Sequence, residues 1–374
     1  MVSDDELMEL KQLIEENYNF SIHNFIKIKP GKSSDTFKLR IRKNDFLCFD
    51  RIFEKIFGKS KKDKYLFLKI FFKKTTKEDI EHEAQLLDYL WQNNFPTARI
   101  LKTNTNTAWV SFGKRYFCIQ EYIIGRTYST YTLPDKYLIQ SASLLGQLQT
   151  LMNEYSAKDT TSKRVYRDEL TNRVSEKDIA KLISHIDVST SASAELKEYI
   201  IESLGYLLSI QPKVAEYIGA FKSMPYVYSH GDYITSQFLC KNGKIRGVID
   251  FSSARETIAL SDLMNNYLYS ATECINQDFI SKEKFMTYVE TYIKNSTLPL
   301  TRNDYVLMPR VCLCIYFNRS FDAHKNLIKR IEKVGASISR ALKKTNQLNN
   351  ICKYLDENQL TLQEYLCASH SELC

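Results

Sequence analysis

Apolar residues recur at helical spacing between residues 3 and 17, which predicts a short amphipathic helix. The period then changes. Phe25, Ile26 and Ile28 predict a strand, Pro30–Asp35 a turn, and Phe37–Ile41 a second strand. An irregular stretch follows from about Arg42 to Lys64, and Tyr65–Phe72, rich in aromatic and branched residues, reads as a buried strand. Thr75-Thr-Lys-Glu-Asp79 has the form of a capping box, and Ile80, Ala84, Leu87 and Trp91 continue it as a helix that ends near Asn93-Asn94. Strands at Ala108–Phe112 and Tyr116–Gln120 flank a Gly113-Lys114 turn.

Beyond residue 125 the pattern is mainly helical. Leu138, Ala142, Leu145, Leu148 and Met152 line one face of a helix, and further helices are expected at 176–186, 194–210, 262–275, 282–294 and 320–346. One segment breaks the run. Asn242-Gly243, between Phe238–Cys240 and Ile245–Ile249, is a hairpin signal, because both turn residues tolerate positive φ.

Charge is localised. The 374 residues carry 52 Lys+Arg against 44 Asp+Glu, a net +8, but Lys38–Lys77 alone holds fourteen basic and four acidic residues. The remainder is near neutral, so nucleic-acid binding is not the expected role; the basic segment reads as an edge that steers anions. The first residues are acidic and lack a signal-peptide pattern, and no apolar run approaches membrane-spanning length. The nine cysteines are scattered and offer no four-ligand zinc set. Reduced, buried thiols and a cytoplasmic location are therefore expected.

The residues with chemistry gather around the hairpin. Asp232 precedes it, Gln237 opens it and Asp250 ends its returning strand. A hairpin brings its ends together, so Gln237 and Asp250 are expected to be neighbours. An amide oxygen beside a carboxylate suits a hard cation such as Mg²⁺. Asp232 is placed to take a proton from an attacking hydroxyl. An ordinary surface hairpin would also present two such carboxylates. Upstream, Lys69 interrupts an apolar strand and Glu83 lies on the inward face of the next helix. Such a pair is either a plain ion pair or a means of holding the lysine against phosphates.

In order, Lys69, Glu83, Gln120-Glu-Tyr-Ile-x-Gly125, His230-Gly-Asp232, Gln237-Phe-Leu239, Val248-Ile-Asp-Phe251 and Asp262-Leu263 resemble the aminoglycoside phosphotransferase/choline kinase-like group of small-molecule kinases. The resemblance covers about residues 20–270. It implies an α+β, two-lobed, protein-kinase-like fold. Residues 1–125 would form an N-lobe with a small antiparallel sheet, one helix, a basic insert near 42–64 and a hinge at 120–125. Residues 126–374 would form a larger, mainly helical C-lobe that grips the acceptor.

Carried over by residue, the resemblance makes Asp232 the catalytic base and Gln237 and Asp250 the Mg²⁺ ligands. Lys69, with Glu83 as partner, would contact the phosphates of ATP or GTP. Ser33 and Ser34 could add donors, and the backbone of Glu121 and Ile123 would bond the purine. His230 and Asp262 would brace the catalytic loop. The acceptor would be a hydroxyl of a small antibiotic, natural product or metabolite. Gln237 stands where most relatives carry Asn, which keeps open the alternative of a pseudokinase that binds nucleotide or a partner without turnover, and the Gly-poor, Lys- and Tyr-rich composition also suits a spore-coat-type kinase-like protein. No room for an activation segment exists between Asp250 and Asp262, which argues against a protein kinase.

Overall fold

The structure, a computed structural model, describes residues 3–28, 34–41, 64–72, 74–158, 170, 174–221, 224, 226–276, 279–298, 300–333 and 337–368. The chain divides into two compact units. The first comprises Met1–Arg126 with Leu239–Lys241 and Ile245–Ser252; the second comprises Thr127–Phe238, Asn242–Lys244 and Ser253–Cys374. The mixed α+β arrangement, an N-terminal antiparallel sheet followed by a mainly helical part, is the one implied above. Most of the basic insert, and Ser33, lie outside the described residues.

The first unit begins with α1 (Asp4–Tyr18), opened by a capping box between Ser3 and Glu6. Its sheet contains β1 (Ile22–Lys27), β2 (Ser34–Ile41), β3 (Lys64–Phe71), β4 (Val110–Phe112) and β5 (Arg115–Glu121), in the antiparallel order β1-β2-β3-β5-β4. Strand alternation sorts the residues between two faces. Leu66, Leu68 and Ile70 of β3 are fully buried in a core with Leu39, Phe117 and Ile119, which α1 closes with Leu10, Ile14 and Tyr18. Lys69 therefore points from the opposite face. Its Cα partners are Thr36 on β2 and Cys118 on β5. The helix α2 (Lys77–Gln92) starts at the predicted capping box, Thr76 with Asp79, and buries Ile80, Glu83, Ala84 and Leu87 along one stripe.

The second unit is mainly helical: α3 (Asp135–Lys158), α4 (Glu176–Asp187), α5 (Ala194–Phe221), α6 (Ala259–Ser270), α7 (Glu273–Asn276), α8 (Lys282–Asn295), α9 (Arg302–Ile331) and α10 (Ser339–Ala368). Its short sheet pairs β6 (Tyr226–Ser229) with β9 (Arg255–Ile258). The strands β7 (Phe238–Lys241) and β8 (Lys244–Val248), which belong largely to the first unit, form the predicted hairpin, with Asn242 and Gly243 at φ 51° and 76°. Ten consecutive residues of α6, Ala259 to Leu268, are buried, so this helix is the core about which α3, α8 and α9 pack.

Two helix expectations need correction. No single helix covers 320–346. Instead α9 starts at the Thr301–Asp304 capping box, accommodates Pro309, and ends at Ile331; α10 begins only at Ser339. Proline removes one backbone donor, but a buried face running from Tyr305 to Ile328 outweighs that loss. Likewise the span 262–275 divides after Ser270 into α6 and α7. Among the described residues, no helix is long and apolar enough to cross a membrane.

Candidate active site

In the first unit, three charged side chains meet. Lys69 Nζ lies 3.0 Å from Asp250 Oδ1 and 3.9 Å from Glu83 Oε1. Lys69 is 5% exposed and Glu83 6%. Burial by itself disfavours the ammonium, but the carboxylates of Glu83 and Asp250 outweigh it and hold the Lys69 pKa above its usual value. Burial is also the largest influence on Glu83, whose pKa is raised despite the pull of Lys69 downwards. Its carboxylate accepts a hydrogen bond from the Phe251 backbone N–H, so α2 grips both the lysine and the turn that follows β8.

That turn is strained. Asp250 adopts φ 66°, a left-handed conformation uncommon outside glycine but tolerated by Asp. It leaves Asp250 Oδ1 accepting from both Lys69 Nζ and Ser252 Oγ, the latter at 2.9 Å, and the side chain 38% exposed. A partly exposed carboxylate can still bind a cation.

In the second unit, His230-Gly231-Asp232 follows β6. His230 is fully buried, edge-on to Tyr233, and its Nδ1 accepts from the Asp232 backbone N–H at 3.3 Å. The Tyr233 hydroxyl donates to the Ser141 carbonyl at 2.9 Å and anchors the far side of the loop. Asp262, in the first turn of α6, accepts the Gly231 N–H at 2.8 Å and the Ser229 hydroxyl at 2.6 Å. Gly231 has φ 76°, and a Cβ there would collide with the Ser253 carbonyl, so only glycine fits. Gln237 ends a 3₁₀ turn, Thr235–Gln237, and its Nε2 donates to Asp232 Oδ2 at 2.9 Å. The amide is thereby turned with its oxygen away from Asp232, and among the described residues that oxygen accepts no hydrogen bond. An amide oxygen of this kind, and a partly exposed carboxylate such as that of Asp250, are each hard donors of the type that Mg²⁺ takes.

The remaining expected residues are placed as follows. Ser34 opens β2 and is buried. Glu121 ends β5; its side chain holds Arg99 through contacts of 2.7 and 3.0 Å, and its backbone N–H donates to the Arg99 carbonyl. Ile123 lies just beyond and packs against Gly247 so closely that a Cβ there would strike it. The sequence reading missed the residues behind the loop: Ser229, Gln149 on α3, and Asn153, whose side chain bonds both the N–H and the carbonyl of Tyr228. One signal was available, since Gln149 falls in the apolar stripe of its helix, four residues after Leu145.

A family model described as APH, the phosphotransferase enzyme family, matches residues 52–278. No curated protein sequence matches the chain. Among solved structures, the chain is similar to an aminoglycoside phosphotransferase from Alicyclobacillus acidocaldarius subsp. acidocaldarius DSM 446, at 13% identity over 95% of each chain and a TM-score of 0.63. It is also similar to an amicoumacin kinase in complex with AMP-PNP, Ca²⁺ and Ami, at 13% identity over 94% of each chain and a TM-score of 0.60. A choline kinase from Cryptosporidium parvum Iowa II shares 15% identity over 96% of this chain and 99% of its own, with a TM-score of 0.54. These three likenesses concern the fold. The family model covers more than half of the sequence, including Lys69, Glu83, Asp232, Gln237, Asp250 and Asp262, and the chain belongs to the phosphotransferase enzyme family.

Proposed function

We propose that the protein transfers the γ-phosphate of ATP or GTP to a hydroxyl group of a small acceptor: an antibiotic, natural product or metabolite. The observation that carries this reading is the buried Lys69, held 3.0 Å from Asp250 and 3.9 Å from Glu83. Burying an ammonium is costly unless charges meet it. Here the two carboxylates hold it extended, as a phosphate-binding lysine must be. The complexes of similar proteins with nucleotide, and with an acceptor, support the same substrate classes.

In this reading the first unit is the nucleotide unit and the second grips the acceptor. Lys69 contacts the phosphates while Glu83 keeps it extended, and Ser33 and Ser34 add donors nearby. The backbone around Glu121 and Ile123 bonds the base; the Glu121 N–H is committed to Arg99, so Ile123 supplies the donor. Gln237 and Asp250 would hold Mg²⁺, which would supply positive charge against the transferred phosphoryl group. Asp232 accepts the proton of the acceptor hydroxyl. Its Oδ2 accepts a hydrogen bond from the Gln237 amide, which fixes the orientation of the carboxylate. His230 and Asp262 hold the loop and take no proton.

A panel of hydroxylated compounds incubated with Mg²⁺ and ATP or GTP, read by mass for phosphate addition, tests the reading. Asp232→Ala is expected to lower transfer by about 10³-fold or more while nucleotide affinity changes less than about twofold. Equal transfer by the variant and the wild type would remove Asp232 from its role. Absence of any Mg-nucleotide binding, measured by thermal shift, would sink the kinase reading as a whole.

A further inference from the structure

We propose that Gln149 is a positioning residue for Asp232, acting through Ser229, Asp262 and Gly231, with Tyr292 setting the direction of the chain. The proposal rests on the phosphotransfer reading only for its kinetic consequence.

Gln149 is fully buried, although its place on α3 belongs to an apolar stripe. A buried amide is tolerated only when its atoms are bonded, and here they are. The Tyr292 hydroxyl of α8 donates to Gln149 Oε1 at 2.6 Å. Gln149 Nε2 donates to Ser229 Oγ at 3.0 Å and to the Ala259 carbonyl at 3.3 Å. The Ala259 carbonyl can only accept, so the amide edge facing it must be the nitrogen. The orientation of the amide therefore follows from its surroundings. With Oε1 facing Tyr292, the tyrosine must be the donor.

The direction propagates. Ser229 Oγ accepts the hydrogen bond from Gln149, so its own hydroxyl hydrogen is donated to Asp262 Oδ2, 2.6 Å away. The same oxygen accepts the Gly231 N–H at 2.8 Å. Gly231 is the left-handed residue directly before Asp232, and its φ sets where the Asp232 side chain emerges. One oxygen thus holds the strand end at Ser229 and the loop at Gly231. Its two donors leave it no freedom to rotate, and the helix pair α3 and α8 supplies the first of them its direction. The arrangement links residues on four separate elements without an exposed atom among Gln149, Ser229 and Tyr292.

Two substitutions separate direction from mere filling. Gln149→Met keeps the volume and removes the donor. Gln149→Glu keeps the shape but puts an acceptor against the Ala259 carbonyl and draws the Ser229 proton away from Asp262. Gln149→Met is expected to lower kcat about tenfold and Gln149→Glu about a hundredfold, both with the nucleotide KM within about twofold, the size of effect that misplacing a reacting group produces. Ser229→Ala should behave like Gln149→Met, and Ser229→Thr, which retains the hydroxyl, should restore most of kcat. Hydrogen exchange of the peptide covering 229–233 gives a readout without turnover: it should accelerate in Gln149→Glu while α9 and α10 keep their protection. Unchanged kcat and unchanged exchange would overturn the proposal, as would parallel losses in kcat, KM and α9–α10 protection, which mark general loosening. If the wild type transfers phosphate to nothing, the phosphotransfer reading fails, and the exchange measurement still decides whether Gln149 holds the loop.

Discussion

The Lys69 cluster and the Asp232 loop do related work by opposite physics. Around Lys69, three formal charges from β3, α2 and the turn after β8 hold one another, two of them buried. The attraction between opposite charges gains strength from the low local dielectric, and the carboxylates keep Lys69 protonated despite its burial. Around Asp232, neutral donors converge on carboxylates: Gln237 on Asp232, and Ser229 with the Gly231 N–H on Asp262. Here position comes from directional hydrogen bonds and from the steric demand at Gly231. A charge cluster should therefore fail when its balance is upset, and a hydrogen-bonded loop when its shape is.

The comparison can be broken at several points, in decreasing order of effect. Loss of transfer in Asp232→Ala is the largest expected change. Next is Lys69→Met, which leaves Glu83 buried without its cation. It should destabilise the protein by about 3 kcal/mol or more, the scale for removing one member of a buried ion pair, and weaken nucleotide binding in calorimetry. The double variant Lys69→Met with Glu83→Gln should recover part of that stability in denaturant titrations, since it removes the stranded charge. Additive losses would show that the cluster is not held by charge.

Gly231→Ala tests the other side. A left-handed alanine whose Cβ meets the Ser253 carbonyl should cost about 2–3 kcal/mol of stability in thermal unfolding, with no dependence on salt. A salt-dependent loss would place the loop with the charge cluster instead.

The smallest effect at neutral pH concerns acid sensitivity. His324 on α9 is fully buried, its Nδ1 bonded to the Ser320 carbonyl, and its Nε2 has no hydrogen-bond partner among the described residues. Burial lowers its pKa to about 4 from 6.5. The unfolded chain thus takes up a proton before the folded protein does. The stability is complete above pH 6.5 and is progressively lost as pH falls towards 4, by up to about 3 kcal/mol on the linkage relation. His324→Leu should flatten the fall in Tm between pH 6.5 and 4.5; a slope equal to that of the wild type would assign the acid sensitivity to other groups.

Much of this molecule was legible along the chain where a residue contradicts its local pattern. Lys69 in an apolar strand and Glu83 in an apolar helix stripe announced a pairing, and the structure brings them within 3.9 Å. Asn242-Gly243 announced the hairpin. Elsewhere the pattern misled. The helix expected at 320–346 is two, because the long buried face of α9 carries it from Arg302 through Pro309 to Ile331, and α10 begins only at Ser339. Gln149 reads as one polar residue among many, and its partners lie 80 and 143 residues away. Its place in the apolar stripe of α3 signals burial, but nothing local says which atoms it meets.

The sequence by itself determined the order of the chemical residues and the kind of element each occupies, because hydrophobic period, capping boxes and turn chemistry act over a few neighbouring residues. Tertiary structure decided which atoms meet. It turned the Gln237 nitrogen onto Asp232, tied Glu83 to the Phe251 N–H, and brought Lys69 to Asp250 across 181 residues. Those contacts depend on distances of a few ångströms between elements, which only the packing of side chains from distant parts of the chain can fix.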